Sequence, residues 1–236
     1  MKQLRIAVVI PTLNEENRLR RILPPLADSA DQIVVSDGGS VDDTVAVAHR
    51  NRAQVVVGPK GRGLQLNNGA TVCDADAYIF LHADTELPAG SLPAIREALD
   101  NGFVGGGFFV TFDSSKPVFR FGSWMINLRT RLTRAPLGDQ AQFASRRAFE
   151  SIGGFMEWPI LEDLDFIRRL RRIGPVTVLS PPVTTSARRF ESNGPMRTLA
   201  TNWLIFALFA LGVSPHALQR LYREPVDGVR KQDAAL

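Results

Sequence analysis

Gln32-Ile33-Val34-Val35-Ser36-Asp37-Gly38-Gly39 is a β-branched run that stops on a carboxylate and turns on two glycines. Such a run reads as a buried strand delivering its acid to the carboxyl edge of a sheet, where open α/β sheets bind their ligands. Two further apolar runs end on acids: YIFLHADTE (78–86) at Asp84, and FMEWPILEDLD (155–165) at Glu162 and Asp163. A fourth, IAVVIPTLNEE (6–16), breaks into polar residues after Ile10. Together these endings predict one site assembled from several strand ends.

Outward from these runs, strand and helix signals alternate. Leu19, Ile22, Leu23 and Leu26 recur at helical spacing, a helix opens near Asp42 or Asp43 and runs to about Arg50, and Gln54–Val57 reads as a third strand. A helix from Leu64 to about Val72 leads into a strand over Ala77–Leu81. Alternating βα units of this length predict an α/β fold, a mostly parallel sheet with helices on both faces. Later signals predict helices over Pro88–Leu99, Phe119–Thr133 and Leu164–Arg172. Strands are expected over Gly105–Val110, entered through a glycine hinge, and over Phe143–Ser145 and Val176–Leu179. The expected division is a main domain over 1–190 and a C-terminal helical extension over 191–236, carrying the apolar segment 203–213.

Composition narrows the function classes. The chain has 236 residues and 44% hydrophobic content, enough for a sizeable core. A single cysteine, Cys73, excludes an internal disulfide framework or a cysteine-rich zinc site. Met1 to Arg5 lead directly into a strand-like run without a signal-peptide pattern, so the expected location is cytoplasmic. The net charge is +4, and from Leu164 to Leu236 there are 11 Lys or Arg against 5 Asp or Glu. That excess suits a phosphorylated substrate or an anionic membrane surface. Nucleic acid is not expected as a partner, because zinc-finger spacing, an RNP signature and a basic stripe interleaved with aromatics are all missing. As a helix, 203–213 extends about 16 Å, too short to span a bilayer. It reads as a helix packed on the core or in a homodimer interface. The alternative is a peripheral contact with the inner face of the cell membrane, flanked by Arg197, Arg220 and Arg223.

The polar segments carry the candidate chemistry. Asp37, at a strand end before Gly38 and Ser40, can accept from a base N–H or a ribose hydroxyl, while Asp42 or Asp43 reads as a cap for the next helix. Gly61-Arg62-Gly63 sets permissive backbone beside a guanidinium suited to phosphate or base, with Gln65 close by. His82-Ala83-Asp84-Thr85-Glu86 gathers nitrogen and oxygen ligands, and on extended backbone His82, Asp84 and Glu86 share a side. Asp84 suits Mg²⁺ or Mn²⁺ that neutralises a leaving diphosphate. Glu162 and Asp163 open a helix, where acids serve either as caps or as a general base at the rim of a site. Gly153-Gly154-Phe155 before them reads as a mobile loop, and Gly138-Asp139-Gln140 as a polar turn bordering an acceptor pocket.

In this order IPTLNEE, VVSDGGSVDDT, GRGLQLNNGA, FLHADTELP, GDQAQF and GGFMEWPILEDLDF closely resemble the inverting family 2 glycosyltransferases of GT-A fold. The likeness is greatest to a small bacterial subgroup bearing LHADT and a GDQ segment, and it covers roughly Ile6 to Arg189. It implies a Rossmann-like sheet and a nucleotide-diphosphate sugar donor, a UDP-sugar before a GDP-sugar. It further implies a hydroxyl acceptor and a divalent cation; a lipid-linked acceptor would suit the apolar segment 203–213 and its arginines. By the resemblance Pro11, Thr12, Asn14, Glu15, Asp37, Gly38, Ser40, Gly61, Arg62, Gln65, His82, Ala83 and Asp84 serve the nucleotide. The family's DxD motif appears as His82-Ala83-Asp84, with the first acid replaced. Asp163 falls at the general-base position, with Glu162 beside it. Gly138, Asp139, Gln140, Arg188 and Arg189 border the acceptor or diphosphate. Two rivals are a sugar-1-phosphate nucleotidyltransferase, whose glycine-rich activating loop PTLNEENR lacks, and a non-catalytic nucleotide-binding or membrane-associated protein on the same fold.

Overall fold

The structure, a computed structural model, describes residues 3–222; the side chains of Arg189 and Asn193 fall outside that description. Residues 223–236, with Arg223 and the end of the expected C-terminal extension, also lie outside the described residues.

The chain begins with β1 (Ile6–Thr12), α1 (Glu16–Ala27), β2 (Gln32–Asp37), α2 (Thr44–Arg50), β3 (Gln54–Val57), α3 (Arg62–Thr71) and β4 (Ala77–Phe80). It continues through β5 (Thr85–Glu86), α4 (Ser91–Asp100), β6 (Gly105–Phe112), α5 (Pro117–Thr133), a 3-10 turn at Gly138–Gln140, β7 (Gln142–Ser145) and α6 (Arg146–Ser151). Then come α7 (Glu162–Ile173), β8 (Val176–Thr185), α8 (Arg188–Asn193), α9 (Pro195–Ala210) and α10 (Pro215–Leu218). The strands form one sheet in the order β3-β2-β1-β4-β7-β6-β8-β5. β1, β2, β3 and β4 run parallel, as do β6 and β8; β7 and β5 are antiparallel to their neighbours.

Residue alternation explains why the strand runs are continuously apolar. Ile6, Val8 and Ile10 of β1 join one core with Leu19, Leu23, Val47 and Ile95. Ala7 and Val9 face the opposite core with Leu66, Phe149, Phe166 and Leu170. β4 divides likewise, Ile79 to one side and Tyr78 and Phe80 to the other. A strand covered by helices on both faces has no solvent side to alternate with. β1 leads out to β2 and β3 on one flank, and the chain then crosses back through α3 to β4 on the other. The loops after β1 and β4 therefore diverge and open a crevice at the carboxyl edge.

Several local expectations are corrected. Gly105, Gly106 and Gly107 are not a hinge but buried positions of β6. A Cβ on Gly105 would lie 2.4 Å from the Phe143 carbonyl oxygen, and one on Gly106 2.1 Å from that of Thr177, so glycine there serves close strand packing. β8 runs six residues past its expected end, through Pro181 and Pro182, which an outer strand tolerates. Residues 155–161 form a loop rather than a strand, and Glu162 and Asp163 stand at the N-terminus of α7. The Gly153-Gly154-Phe155 segment is pinned, because Asn67 bonds both the N–H (2.8 Å) and the carbonyl (2.9 Å) of Phe155. The Phe155 ring also stacks on Phe166 at 4.0 Å. The boundary expected at 190/191 falls inside α8. Phe190 packs with Phe112 and Phe119, and Ile205 and Leu218 pack with Ile160 and Leu161. No helix among the described residues is long and apolar enough to cross a membrane.

Candidate active site

A cleft of about 1120 Å³ lies at the carboxyl edge. Pro11, Thr12 and Glu15 line it from the end of β1, Gly61, Arg62 and Gln65 from the start of α3, and His82, Ala83 and Asp84 from the end of β4. Asp139, Asp163 and Arg188 complete its polar wall. Six chain segments that are distant in sequence thus bring the expected acids and arginines together.

Several other expected contacts are spent on building the loops. Asp37 is buried, and its Oδ1 accepts from the hydroxyls of Thr12 and Ser40. Its Oδ2 accepts from the N–H groups of Gly39 (2.9 Å) and Ser40 (2.7 Å). Asn14 ties the same two loops, its N–H donating to Ser40 Oγ (2.8 Å) and its Oδ1 accepting from Val41 N–H (2.9 Å). Gln65 spans three segments: its amide donates to the carbonyls of Thr12 and Ser36, both at 2.8 Å, and its Oε1 accepts from Gly61 N–H at 3.2 Å. Gly38 packs directly against that amide. Asp42, not Asp43, caps α2 by accepting from Thr44 N–H at 3.0 Å. Asp37 is buried beneath these loops, and Gly38, Ser40 and the exposed Asn14 are not part of the cleft lining.

Glu162 also leaves the cleft surface. Its side chain is 1% exposed and its Oε1 meets Arg62 Nη1 at 2.8 Å, while Oε2 has no partner among the described residues. Burial pushes the Glu162 carboxyl up and Arg62 opposes that push. Glu162 in turn holds the Arg62 guanidinium above its ordinary value, so it stays charged. Arg62 remains 35% exposed towards the cleft.

Asp163 is both a helix-terminus acid and a cleft residue. Its Oδ2 accepts from Gly138 N–H and its Oδ1 from Leu164 N–H, each at 2.7 Å. A Cβ on Gly138 would stand 2.8 Å from His82 Nε2 and 3.2 Å from Asp163 Oδ2, so the turn, the imidazole and the carboxylate fit only with glycine at 138. Burial, reinforced by Arg62, pushes His82 down to about 4, and the ring is neutral at pH 7. Glu86 does not share its side: the chain turns after His82, and Glu86 pairs with Arg21 at 2.8 Å on the surface. Burial pushes Asp139 up to about 6 against the pull of Arg129, and the charges of Asp163 and Asp84 add to the rise. Gln140 is fully buried and holds the turn in place, accepting from Leu137 N–H, Thr130 and Arg129 and donating to the Phe108 carbonyl. Asp139 thus lines the cleft while Gly138 and Gln140 support it. Arg189, expected beside the diphosphate, has its side chain outside the described residues.

Sequence reasoning missed two parts. Arg129, in mid-helix α5, is the cation facing Asp139; a guanidinium in an amphipathic helix carries no signal separating it from a solvated one. The second is an apolar stretch of the lining formed by Trp158, Ile160, Ile205 and Phe206, beside Tyr222. Its C-terminal members were expected to belong to a separate extension.

The donor chemistry fits a shared cation. Asp84 offers hard carboxylate oxygens, and its charge reaches the Asp139 carboxyl. No group of three or more ligating side chains occurs among the described residues. Mg²⁺ and Mn²⁺ held by one or two carboxylates and completed by substrate phosphates suit that set, whereas an all-protein cage does not.

Comparison with known proteins agrees with this architecture. An uncharacterized glycosyltransferase of Mycobacterium tuberculosis is 38% identical over 98 residues, 41% of this chain and 44% of that protein. One from Rickettsia conorii is 34% identical over 84 residues, 35% of this chain and 30% of that protein. The matched stretches thus span less than half of these curated relatives. Among solved structures, a mannosyltransferase from Pyrobaculum calidifontis in complex with GDP-mannose and Mn²⁺ aligns with a TM-score of 0.64. It is 20% identical, over 94% of this chain and 70% of that one. The glucosyl-3-phosphoglycerate synthase of Mycobacterium tuberculosis, in complex with Mn²⁺, UDP and glucosyl-3-phosphoglycerate, aligns at 0.54 with 23% identity. That match covers 78% of this chain and 70% of the synthase chain. At these identities the structural likeness speaks for the fold. Residues 7–149 match glycosyl transferase family 2, and the chain belongs to that family, with the GT-A fold.

Proposed function

We propose that the chain transfers a sugar, with inversion, from a nucleoside diphosphate sugar to a hydroxyl acceptor. One observation carries this reading: Asp84, Asp139 and Asp163 face the same cleft as Arg62, at the divergence of the β1 and β4 loops. The volume of about 1120 Å³ exceeds the usual range for a single small ligand and suits a donor and an acceptor side by side.

Asp163 is the group we assign as general base. It takes the acceptor hydroxyl proton while the oxygen forms its bond to the anomeric carbon. The bond from that carbon to the diphosphate oxygen breaks on the opposite face, which inverts the configuration. Gly138 N–H fixes the Asp163 carboxylate in one orientation, and neutral His82 packs against the same turn without adding positive charge. Arg62 and Arg188 supply fixed positive charge to the cleft, so positioning and charge complementarity carry most of the rate. Asp84, with Asp139 beside it, would hold Mg²⁺ or Mn²⁺, which would supply positive charge to a leaving diphosphate.

A UDP-sugar is the favoured donor and a GDP-sugar the second choice. The apolar wall of Trp158, Ile160, Ile205 and Phe206 favours an acceptor with a hydrocarbon portion, a lipid-linked hydroxyl. Titration calorimetry with UDP and with GDP, each with and without Mn²⁺ or Mg²⁺, tests the reading. Cation-dependent binding of one nucleotide, lost in Asp84→Ala, is the expected result. Absence of binding under every condition overturns it in favour of a non-catalytic protein on this fold.

A further inference from the structure

Two helices leave broad apolar faces uncovered. On α5, Phe121, Trp124, Leu128 and Leu132 are 50%, 58%, 41% and 76% exposed. At 3.6 residues per turn these four side chains fall within an arc of about 80°. On α9, Met196, Trp203, Leu204 and the capping Leu211 are 70%, 50%, 49% and 81% exposed, within an arc of about 100°. The two helices touch, with the Arg129 guanidinium lying over the Phe206 ring at 5.8 Å. Scattered exposed apolar residues are ordinary, but an aligned apolar stripe on each of two helices in contact needs an occupant.

Charge identifies the occupant. α5 carries Arg120, Arg129 and Arg131, and α9 carries Arg197; neither helix contains an Asp or Glu. By helical angle Arg120 and Arg131 border the α5 stripe and Arg197 borders that of α9, and all three are exposed. Apolar aromatic faces edged by arginines and empty of acids match the boundary of an anionic bilayer. A second copy fits less well, because a two-fold contact through this patch sets the same arginines against one another. We propose that the α5 and α9 faces together form a docking surface for an anionic lipid bilayer. Ile205 and Phe206, on the inner side of α9, line the cleft, so the same helix separates the bilayer from the site.

Vesicle flotation of the full chain tests this, using phosphatidylcholine alone and with about 30% phosphatidylglycerol. We expect binding to the anionic vesicles at least tenfold stronger than to the neutral ones, weakening as salt rises. Of the three tryptophans, Trp158 lies against Phe209 while Trp124 and Trp203 sit in the patch. Brominated lipid should quench emission in the protein and far less in Trp124→Ser/Trp203→Ser. Arg120→Glu/Arg197→Glu should lower anionic-vesicle binding at least tenfold. Both pairs alter exposed positions, and UDP and GDP titrations on the same variants separate loss of this surface from loss of the nucleotide site. Equal binding to both vesicle types, no quenching, or a stable dimer in light scattering dissolved by Trp124→Ser/Trp203→Ser overturns the proposal.

Discussion

Asp139→Asn should stabilise the protein at neutral pH while impairing its chemistry. Burial moves the Asp139 carboxyl from its ordinary 3.8 to about 6. At about 1.4 kcal/mol for each tenfold change in the proton equilibrium, keeping it ionised in the folded state costs about 3 kcal/mol at pH 7.5. The side chain is partly exposed, so about 1–3 kcal/mol is the expected gain. The sign depends on pH. Between 4 and 6 the folded carboxyl keeps its proton and the unfolded one has lost it, so the folded state binds more protons and stability falls as pH rises. Below about 4 both states are protonated and the penalty is gone. His82 contributes the opposite slope: with its folded value near 4 against an ordinary 6.5, the unfolded state binds more protons and stability rises with pH. The two contributions nearly cancel in the parent protein, and Asp139→Asn exposes the histidine slope alone. Urea unfolding in EDTA at pH 4, 5, 6 and 7.5 measures this. A gain of the same size at pH 4 and 7.5, or no gain at 7.5, refutes the reasoning.

The other expectations concern neighbouring residues. Asp163→Asn should reduce transfer by at least about a thousandfold with nucleotide affinity nearly unchanged, read by product assay and calorimetry; parallel loss of both makes this acid structural. Asp84→Ala should weaken Mn²⁺-dependent nucleotide binding at least about tenfold and leave cation-independent binding alone. Arg62→Met strands a buried Glu162 and should cost about 3 kcal/mol in urea unfolding, most of it recovered in Arg62→Met/Glu162→Leu; equal stability of the single and double variants contradicts an ion-pair role. Gly106→Ala forces a Cβ to within 2.1 Å of the Thr177 carbonyl oxygen, and about 3 kcal/mol of destabilisation or insoluble protein is expected.

The parallel half of the fold was legible because both-sided burial writes itself into sequence. Ile6–Ile10 and Gln32–Asp37 are continuous apolar runs with an abrupt polar end, and few other environments produce that pattern. The later half was harder. β8 contains two prolines that argue against a strand, tolerated near the sheet margin, and Gly105–Gly107 read as freedom when they answer crowding. The run before Glu162 has a strand's composition, yet it folds as a loop because Phe155 is drawn into the Phe80–Phe166 cluster. No period in the sequence encodes such tertiary capture.

Position in the sequence picked out residues around one cleft better than it told which of them face it. Asp37, Asn14, Gln65 and Gln140 occupy positions whose resemblance implies contact with nucleotide or acceptor, yet most of their polar atoms already serve neighbouring backbone. Such residues act by fixing loops: a carboxylate that accepts three hydrogen bonds from its own turn and a fourth from Thr12 shapes the backbone that a ligand meets. Asp84, Asp139, Asp163 and Arg62 are placed differently. Three carboxylates crowd one cleft, and the charge of Asp139 is held there against a burial penalty that simple packing would remove. A fold gains nothing in stability from that crowding, so its retention points to a positive ligand or a proton to be moved. The division between satisfied and strained polar groups sorts the cleft residues more sharply than the motifs do, and under the proposed function it assigns the chemistry to the β4, Gly138–Gln140 and α7 side of the cleft.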